Sequence, residues 1–368
     1  MAPIKYILFF ISAVLPLSLG GCGLVLPSTP AGDFGLAFNL PESGDPVEET
    51  GEACFTEESV FESIPGLIGH HAATITAFSD GELLAGWYSY SGEFELDGSA
   101  IYLSRRPAGS AVWQPPQLHI DREHGDGNPV LYSEGDNVWL FQAVVPYGWS
   151  TAHIEFQRST DRGVTWTEPA KLSWAIGSNT RYPPVRLADG QLLLPAYDEI
   201  FQRSLFFVST DGIRWSYRSG VSSSPGNIQP SVAVLTDGRL LAVMRNQVQG
   251  WLWTMVSDNA GKSWSAPQDS GFPNPGSAAQ ILRLAGGNLV LIFNDSAEYR
   301  HPLSIALSGD EGRTWPYKKI LVDGEGAYSY PTAVQSPDGR IHLLYSYNRE
   351  RINHIILNEA WIIQPHSP

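Results

Sequence analysis

A hairpin-turn signal that returns about every fifty residues is the feature of this 368-residue sequence that most restricts its fold. Each signal is an Asp-Gly pair or a similar glycine-rich turn between two apolar runs. This pattern favours a tight β-hairpin, because glycine tolerates the positive φ that the turn requires. The six signals are Asp80-Gly81, Glu134-Gly135-Asp136, Asp189-Gly190, Asp237-Gly238, Gly286-Gly287-Asn288 and Asp338-Gly339. Units of this length can each hold four short strands, which predicts an all-β repeat protein.

A second motif, Ser-x-Asp-x-Gly-x-x-Trp, repeats at the same interval of about fifty residues. It is complete at 159–166 and 308–315 and recurs with changes at 257–264 and 209–215. Only part of it is recognisable at 104–113. The Asp side chain can bind the N–H groups of a turn and the Trp can pack beneath it, so the motif is structural. These copies resemble the Asp-boxes of sialidase-like β-propellers, and the resemblance covers residues from about 60 to 362. It implies a six-bladed β-propeller whose last unit pairs with the start of the chain.

The N-terminal segment predicts an export signal and a lipid anchor. Lys5 precedes a short apolar run that ends in Leu19-Gly-Gly-Cys22, which resembles the lipobox of bacterial lipoproteins. The expected organisation is a lipoprotein signal peptide at 1–22, with Cys22 lipidated, a flexible tether at 23–57 and the propeller at 58–364. A plain N-terminal anchor helix is the alternative. Asp is absent after Cys22, so we expect an outer-membrane lipoprotein of the bacterial envelope, facing the periplasm or the surface.

Charge and cysteine content exclude several classes of partner. The net charge of −15 argues against nucleic acid and against an anionic membrane surface, so the membrane is contacted only through the lipid. Cys54 is the only other cysteine, so no disulfide framework is expected once Cys22 carries lipid. No cluster with metal-ligand spacing is present, and we expect no metal and no cofactor. A monomer that binds an acidic glycan or polysaccharide is the expected form.

Propeller geometry selects candidate site residues. Residues eight to ten positions before each turn, and about as far after it, should converge on one face over the axis, where propellers bind ligands. These positions hold His70, His71, Asn128, Arg181, Gln229, Ser277 and Tyr328 before the turns, and Tyr88, Glu199, Arg245, Asn294 and Tyr347 after them. We predict that Asn128, Arg181, Gln229 and Asn294 contribute to substrate binding.

The resemblance to sialidases implies roles for three residues. Tyr328 in Ala327-Tyr328-Ser329 is similar to the nucleophilic tyrosine of that family. Arg245, shortly after the fourth turn, and Arg300, before the last Asp-box, are similar to two of the three arginines that bind the substrate carboxylate. Arginine suits this task because its planar fork pairs with a carboxylate through two hydrogen bonds.

Two positions depart from the sialidase pattern. His71 stands where the first arginine is expected, and Gln229 stands where a glutamate activates the tyrosine. Because an amide cannot act as a base, Glu199 becomes the candidate partner of the tyrosine. The acid/base carboxylate is expected in the loop after the first hairpin, at Asp97 or, second, at Glu95. The combination of His71, Asn128 and Gln229 is similar to the bacterial "predicted neuraminidase" branch.

These residues predict an exo-glycosidase of sialidase type that removes a terminal acidic sugar. Asp97 would be the acid/base and Tyr328 the nucleophile, with His71 helping the arginines. One alternative is a lyase or glycosidase for uronate-containing polysaccharide, with His71 and Tyr328 as base and acid. Another is a surface lipoprotein that binds glycans without catalysis. Each candidate also has a purely structural alternative: surface ion pairs for the arginines, a backbone-bonded core histidine, and an ordinary strand aromatic.

Overall fold

Six antiparallel sheets form the fold, and together they make a six-bladed β-propeller. The computed structural model describes residues 51–96 and 98–365. In these residues the only α-helix is α1 (Glu359–Ile363), and a 3₁₀ helix covers Trp149–Thr151. No helix in the described ranges is long and apolar enough to cross a membrane. The predicted all-β class and blade number are therefore confirmed.

Blades 1 to 5 are each built from consecutive strands, and blade 6 adds a strand from the start of the described chain. Blade 1 holds β2 (Gly69–Ala77), β3 (Leu83–Tyr90), β4 (Ala100–Arg106) and β5 (Gln117–Ile120). Blade 2 holds β6 (Gly125–Glu134), β7 (Asn137–Val145), β8 (His153–Ser159) and β9 (Ala170–Lys171). Blade 3 holds β10 (Ser178–Thr180), β11 (Val185–Arg186), β12 (Leu192–Asp198), β13 (Arg203–Ser209) and β14 (Ser216–Val221). In blade 3 the first-strand position is shared by β10 and β11, which both pair with β12.

The second half of the chain repeats this order. Blade 4 holds β15 (Asn227–Val234), β16 (Leu240–Asn246), β17 (Gly250–Ser257) and β18 (Gln268–Asn274). Blade 5 holds β19 (Gln280–Arg283), β20 (Leu289–Asn294), β21 (Leu303–Ser308) and β22 (Tyr317–Val322). Blade 6 holds β23 (Tyr328–Gln335), β24 (Ile341–Tyr347), β25 (Arg351–Leu357) and, on its outer edge, β1 (Phe55–Ser59). All six predicted turns lie between the first two strands of a blade.

The ring closes through β1, which pairs antiparallel with β25 from Phe55↔Leu357 to Ser59↔Asn353. The carboxylate of Glu57 accepts hydrogen bonds from Tyr345 Oη at 2.5 Å and from Asn353 Nδ2 at 2.7 Å. Closure by the start of the chain was predicted, but the boundary was not, because β1 begins inside the predicted tether 23–57. Residues 1–50, which include the predicted signal peptide and Cys22, lie outside the described residues.

The Asp-box motif has the structural role that its composition predicts. Asp161 Oδ1 accepts the backbone N–H of Thr165 at 2.8 Å, and its Oδ2 accepts the Thr165 hydroxyl at 2.6 Å. Gly163 has φ +78°, a conformation that favours glycine. Trp166 packs back over this turn and donates from Nε1 to the Gly163 carbonyl at 3.0 Å. The motif therefore fixes a hairpin between the outer strands of a blade.

Bulges in four of the inner strands direct single side chains toward the axis. The strand register shifts within β2, β6, β15 and β23. At each shift one residue adopts left-handed backbone angles: Ala72 at φ 52°, Asn128 at 45°, Gln229 at 56° and Tyr330 at 58°. A bulge bends its strand locally and changes the direction of a side chain. These four equivalent positions are therefore suited to lining one site.

A chain of buried polar groups connects the closing strand to the rest of blade 6. Glu58 Oε1 lies 3.0 Å from His354 Nδ1, and His354 Nε2 lies 3.0 Å from His342 Nδ1. Burial, followed by the charge of His354, lowers the pKa of His342 to about 3. The other groups that face His342 are Asp338, which favours its protonation, and Arg106 and Arg340, which oppose it.

We therefore expect this histidine to destabilise the fold in acid. Between pH 6.5 and about pH 3 the unfolded chain binds a proton at His342 and the folded chain does not. The free energy of unfolding should fall as the pH decreases through this window. In His342→Gln this pH dependence should be smaller, measured by urea unfolding at several pH values. His124→Gln, at an exposed position, is the control, and equal slopes in the parent and His342→Gln would contradict the assignment.

Candidate functional site

A polar pocket of about 170 Å³ lies over the axis and is lined by residues from all six blades. Its lining residues are Glu95, Asn128, Trp149, Tyr197, Glu199, Ile228, Gln229, Arg245, Arg300, Tyr330 and Arg349. A larger cavity of about 330 Å³ lies among the inner strands, but its lining is mainly apolar. Titratable groups of both signs converge in the smaller pocket, which is therefore the candidate active site.

Tyr330 is the residue around which the pocket polar groups are arranged. Its hydroxyl oxygen accepts hydrogen bonds from Gln229 Nε2 at 3.1 Å and from Arg245 Nη1 at 3.0 Å. Gln229 Oε1 accepts a further bond from Arg245 Nη1 at 3.2 Å, which fixes the orientation of the amide. Burial alone would raise the pKa of Tyr330, but the charges of Arg245 and Arg300 and the Gln229 hydrogen bond lower it below its ordinary value.

Two residues predicted to bind substrate lie behind Tyr330 instead of lining the pocket. Arg181 is 1% exposed, and its guanidinium donates to the carbonyl oxygens of Ala73 at 3.0 Å and Tyr330 at 2.5 Å. His71 is completely buried, its ring centre lies 4.3 Å from that of Tyr330, and its Nδ1 lies 2.8 Å from Ser346 Oγ. Burial, together with the surrounding arginines, holds the pKa of His71 well below its usual range. A neutral, buried His71 cannot supply the charge of the missing arginine.

Three other arginines present positive charge to the pocket. Arg245 and Arg300 are there as predicted, and the guanidinium carbon of Arg300 lies 5.6 Å from the centre of the Tyr330 ring. The third is Arg349, in the turn between β24 and β25, whose Nη1 lies 2.7 Å from Glu95 Oε2. Three guanidinium groups around one pocket suit a planar anion such as a carboxylate.

Two carboxylates complete the chemistry of the pocket. Glu95 lies in the loop between β3 and β4, where it accepts the Tyr88 hydroxyl and forms the ion pair with Arg349. Glu199 lies in the turn between β12 and β13. Burial raises the pKa of Glu199, and the charge of Arg245 opposes this rise. Asp97, the first choice for the acid/base group, lies outside the described residues.

Two predicted residues are placed away from the pocket. Tyr328 packs in the hydrophobic core of blades 5 and 6, and its hydroxyl donates to the Asp323 carbonyl at 3.0 Å. Asn294 is fully buried and donates from Nδ2 to the Tyr328 carbonyl at 2.8 Å. The tyrosine that faces the arginines is therefore Tyr330, two residues beyond the predicted nucleophile.

The sequence contains a signal that identifies Tyr330. Asn128, Gln229 and Tyr330 each lie eight residues before the Asp of their hairpin turn, and each is followed by proline. All three are the left-handed residues of their bulges and all three line the pocket. No comparable pattern marks Arg349, Tyr197 or Trp149, which were also missed. The spacing that Tyr330 shares with Gln229 indicates Tyr330, whereas the Ala-Tyr-Ser motif indicates Tyr328.

Comparisons with known proteins agree with this architecture. Residues 81–343 match the family of BNR repeat-like domains. The chain is 27% identical over 87% of its length to a sialidase of Micromonospora viridifaciens, and 22% identical over 77% to a sialidase of Bacteroides fragilis. It spans only 56% and 59% of those relatives.

Solved structures share the fold. The Hadza microbial sialidase Hz136 superposes with a TM-score of 0.70 at 18% identity, covering 81% of this chain and 67% of that one. The intramolecular trans-sialidase of Ruminococcus gnavus, solved with oseltamivir carboxylate, gives a TM-score of 0.68 at 13% identity, covering 80% and 96%. The family match spans most of the propeller and the relatives are sialidases, so the chain belongs to the BNR repeat-like domain family, within the sialidase superfamily.

Proposed function

We propose that the protein is an exo-glycosidase of sialidase type that hydrolyses a terminal acidic sugar, sialic acid or a similar one, from a glycan. The observation that carries this proposal is the environment of the Tyr330 oxygen. It accepts two N–H groups in a pocket that also holds Arg245, Arg300 and Arg349. A nucleophile beside an anion-binding cluster suits a sugar whose carboxylate lies next to its anomeric carbon.

The pocket supports a two-step displacement. The three arginines would hold the substrate carboxylate, and the Tyr330 oxygen would form a bond to the anomeric carbon as the glycosidic C–O bond breaks. The leaving oxygen needs a proton, for which the carboxyl groups of the β3–β4 loop, Glu95 and Asp97, are the candidates. Glu199 lies in the same pocket and is a further candidate donor, because its raised pKa favours the protonated form. Water would then release the sugar from Tyr330.

The uronate lyase alternative depends on His71 as base and Tyr328 as acid. His71 is completely buried behind Tyr330, and Tyr328 is buried in the core. Neither lines the pocket, which favours the hydrolase. Binding without turnover is favoured by a different observation: Gln229 occupies the position of the family's activating glutamate, and an amide cannot accept a proton in that role.

A product assay separates these functions. We expect the purified protein to release free acidic sugar from a panel of sialylated oligosaccharides, detected by mass spectrometry. Polyuronate chains in the same panel should give no product that absorbs in the ultraviolet, whereas a lyase would form an unsaturated uronate. A protein that binds the panel through Arg300 and releases nothing would be a glycan-binding protein, and the proposed hydrolysis would be wrong.

A further inference from the structure

We propose that Tyr330 is held as a phenolate in the resting protein, with Gln229 and the surrounding arginines in place of the base that removes its proton. The inference rests on the proposed function, because it names how the nucleophile of the same site is activated. It concerns the free protein, however, and needs no substrate to be tested. The argument comes from hydrogen-bond direction, from charge and from the chemistry of residue 229.

The Tyr330 oxygen only accepts hydrogen bonds. Gln229 Nε2 and Arg245 Nη1 can act only as donors, and within residues 51–96 and 98–365 the Tyr330 hydroxyl donates to no group. Two other buried tyrosines donate, Tyr328 to the Asp323 carbonyl at 3.0 Å and Tyr182 to the Pro331 carbonyl at 3.2 Å, whereas Tyr197 Oη accepts from Asn128 Nδ2 at 3.1 Å. The hydroxyl proton of a neutral Tyr330 would have no hydrogen-bond acceptor among the described residues. A phenolate has no such proton and can accept both hydrogen bonds.

The positive charges around the ring favour an anion at Tyr330. Arg181 lies behind Tyr330 with its guanidinium carbon 5.2 Å from the ring centre, and Arg300 lies 5.6 Å from it. In the part of the chain that the structure describes, Arg181 donates to two carbonyl oxygens, its guanidinium carbon lies 5.0 Å from the centre of the Tyr182 ring, and it forms no ion pair. A buried cation is stabilised by a negative charge nearby, and unit charges at this separation interact strongly away from water. A phenolate on Tyr330 supplies that charge.

Gln229 becomes a matched partner in this arrangement. A glutamate at this position, as the sialidase resemblance implies, would carry the negative charge itself and leave the tyrosine protonated. A glutamine beside a phenolate has the same total charge, and its amide donates the hydrogen bond that the anion needs. The charges of Arg245 and Arg300 and the Gln229 hydrogen bond lower the pKa of the buried Tyr330 against the effect of burial, which is the direction that a phenolate requires. The substitution therefore moves the charge onto the nucleophile instead of removing it.

The chemical step then needs one proton transfer fewer. The phenolate oxygen forms the bond to the anomeric carbon, the glycosidic C–O bond breaks, and its electron pair takes a proton from a pocket carboxylic acid. No base has to accept a proton from Tyr330. Hydrolysis of the glycosyl–tyrosine bond by water regenerates the phenolate and returns a proton to the carboxylate, so charge and atoms balance over the cycle.

Near-ultraviolet spectroscopy of the full chain without substrate tests the proposal. A tyrosinate absorbs at longer wavelength than a neutral tyrosine. At neutral pH, the spectrum of the parent protein minus that of Tyr330→Phe should show the tyrosinate band of one residue. The matched difference with Tyr328→Phe should show only a neutral tyrosine. A neutral-tyrosine difference for Tyr330→Phe would overturn the proposal, whatever the activity of the protein.

Gln229→Glu provides the second arm. A carboxylate at residue 229 can accept a hydrogen bond from the hydroxyl of a neutral Tyr330. We therefore expect the tyrosinate band to disappear at neutral pH, while circular dichroism shows an intact fold. A band that persists in this variant would contradict the role assigned to Gln229. The outcomes separate the two proposals: a tyrosinate without hydrolysis refutes the proposed function alone, and hydrolysis without a tyrosinate refutes this inference alone.

Discussion

Replacing Tyr330 by phenylalanine should reduce kcat for a fluorogenic sialoside by about 10³-fold or more, because the variant removes the atom that bonds the anomeric carbon. The side chain keeps its ring and its contacts with His71 and Arg181. The pocket should therefore keep its shape, and KM should change much less than kcat. Initial rates at saturating and at low substrate concentration give the two constants separately.

Tyr328→Phe is the matched control, since it removes the same atom two residues away. It breaks the hydrogen bond from Tyr328 to the Asp323 carbonyl, which should cost about 1 kcal/mol of stability. Its kcat should equal that of the parent protein. The opposite result, an inactive Tyr328→Phe with an active and folded Tyr330→Phe, would return the role of nucleophile to Tyr328.

Arg300→Ala should lower kcat/KM for a sialoside that carries a free carboxylate by about 10² to 10³-fold. This corresponds to about 3–4 kcal/mol of transition-state binding, within the range for truncating one partner of a buried charge pair. The methyl ester of the same sialoside lacks the negative charge and should be affected far less. Comparing the two substrates on one variant separates loss of anion binding from general damage to the pocket.

Arg239→Ala is the control for loss of an arginine outside the pocket. Arg239 pairs with Asp237 at 2.7 Å in the hairpin turn of blade 4, so its removal should leave both substrates unaffected. Equal losses for the acid and its ester in Arg300→Ala would show that Arg300 acts through the fold or through Tyr330. The carboxylate-binding role would then belong to Arg245 and Arg349.

The fold was predictable because its information is local. The turns and the Asp-boxes are only a few residues long, as at Asp338-Gly339 and 159–166. The hydrogen bonds that define each of them form within those residues. Repetition at a fixed interval then gives the number of blades without any knowledge of long-range contacts. The closing strand was predictable in principle but not in position, since nothing in the sequence around Phe55 marks the start of a strand.

The site was predicted less well, for two physical reasons. Side chains two residues apart share a face of a regular strand, so alternation alone cannot choose between Tyr328 and Tyr330. The bulge after Ser329 makes that choice. Arg349 was missed because it enters the pocket from the sixth blade, and only ring closure brings it beside Glu95 of the first. Arg245, Gln229 and Asn128 line the pocket at positions that the repeat geometry selects, and Arg300, which the sialidase resemblance indicated, lines it as well.

The bulged inner strands have a consequence for how such a protein can change its ligand. Each pocket wall at a bulge belongs to a separate repeat, and its residue lies at the position where the register of its own inner strand shifts. Asn128, Gln229 and Tyr330 thus occupy equivalent positions in three repeats and line the pocket, whereas Ala72 holds the equivalent position in blade 1 and is completely buried. A substitution at these positions is not confined to one blade, because Asn128 and Gln229 each donate a hydrogen bond to a tyrosine of another blade. Each blade nevertheless contributes its own residue to ligand recognition, at a position that the repeat fixes.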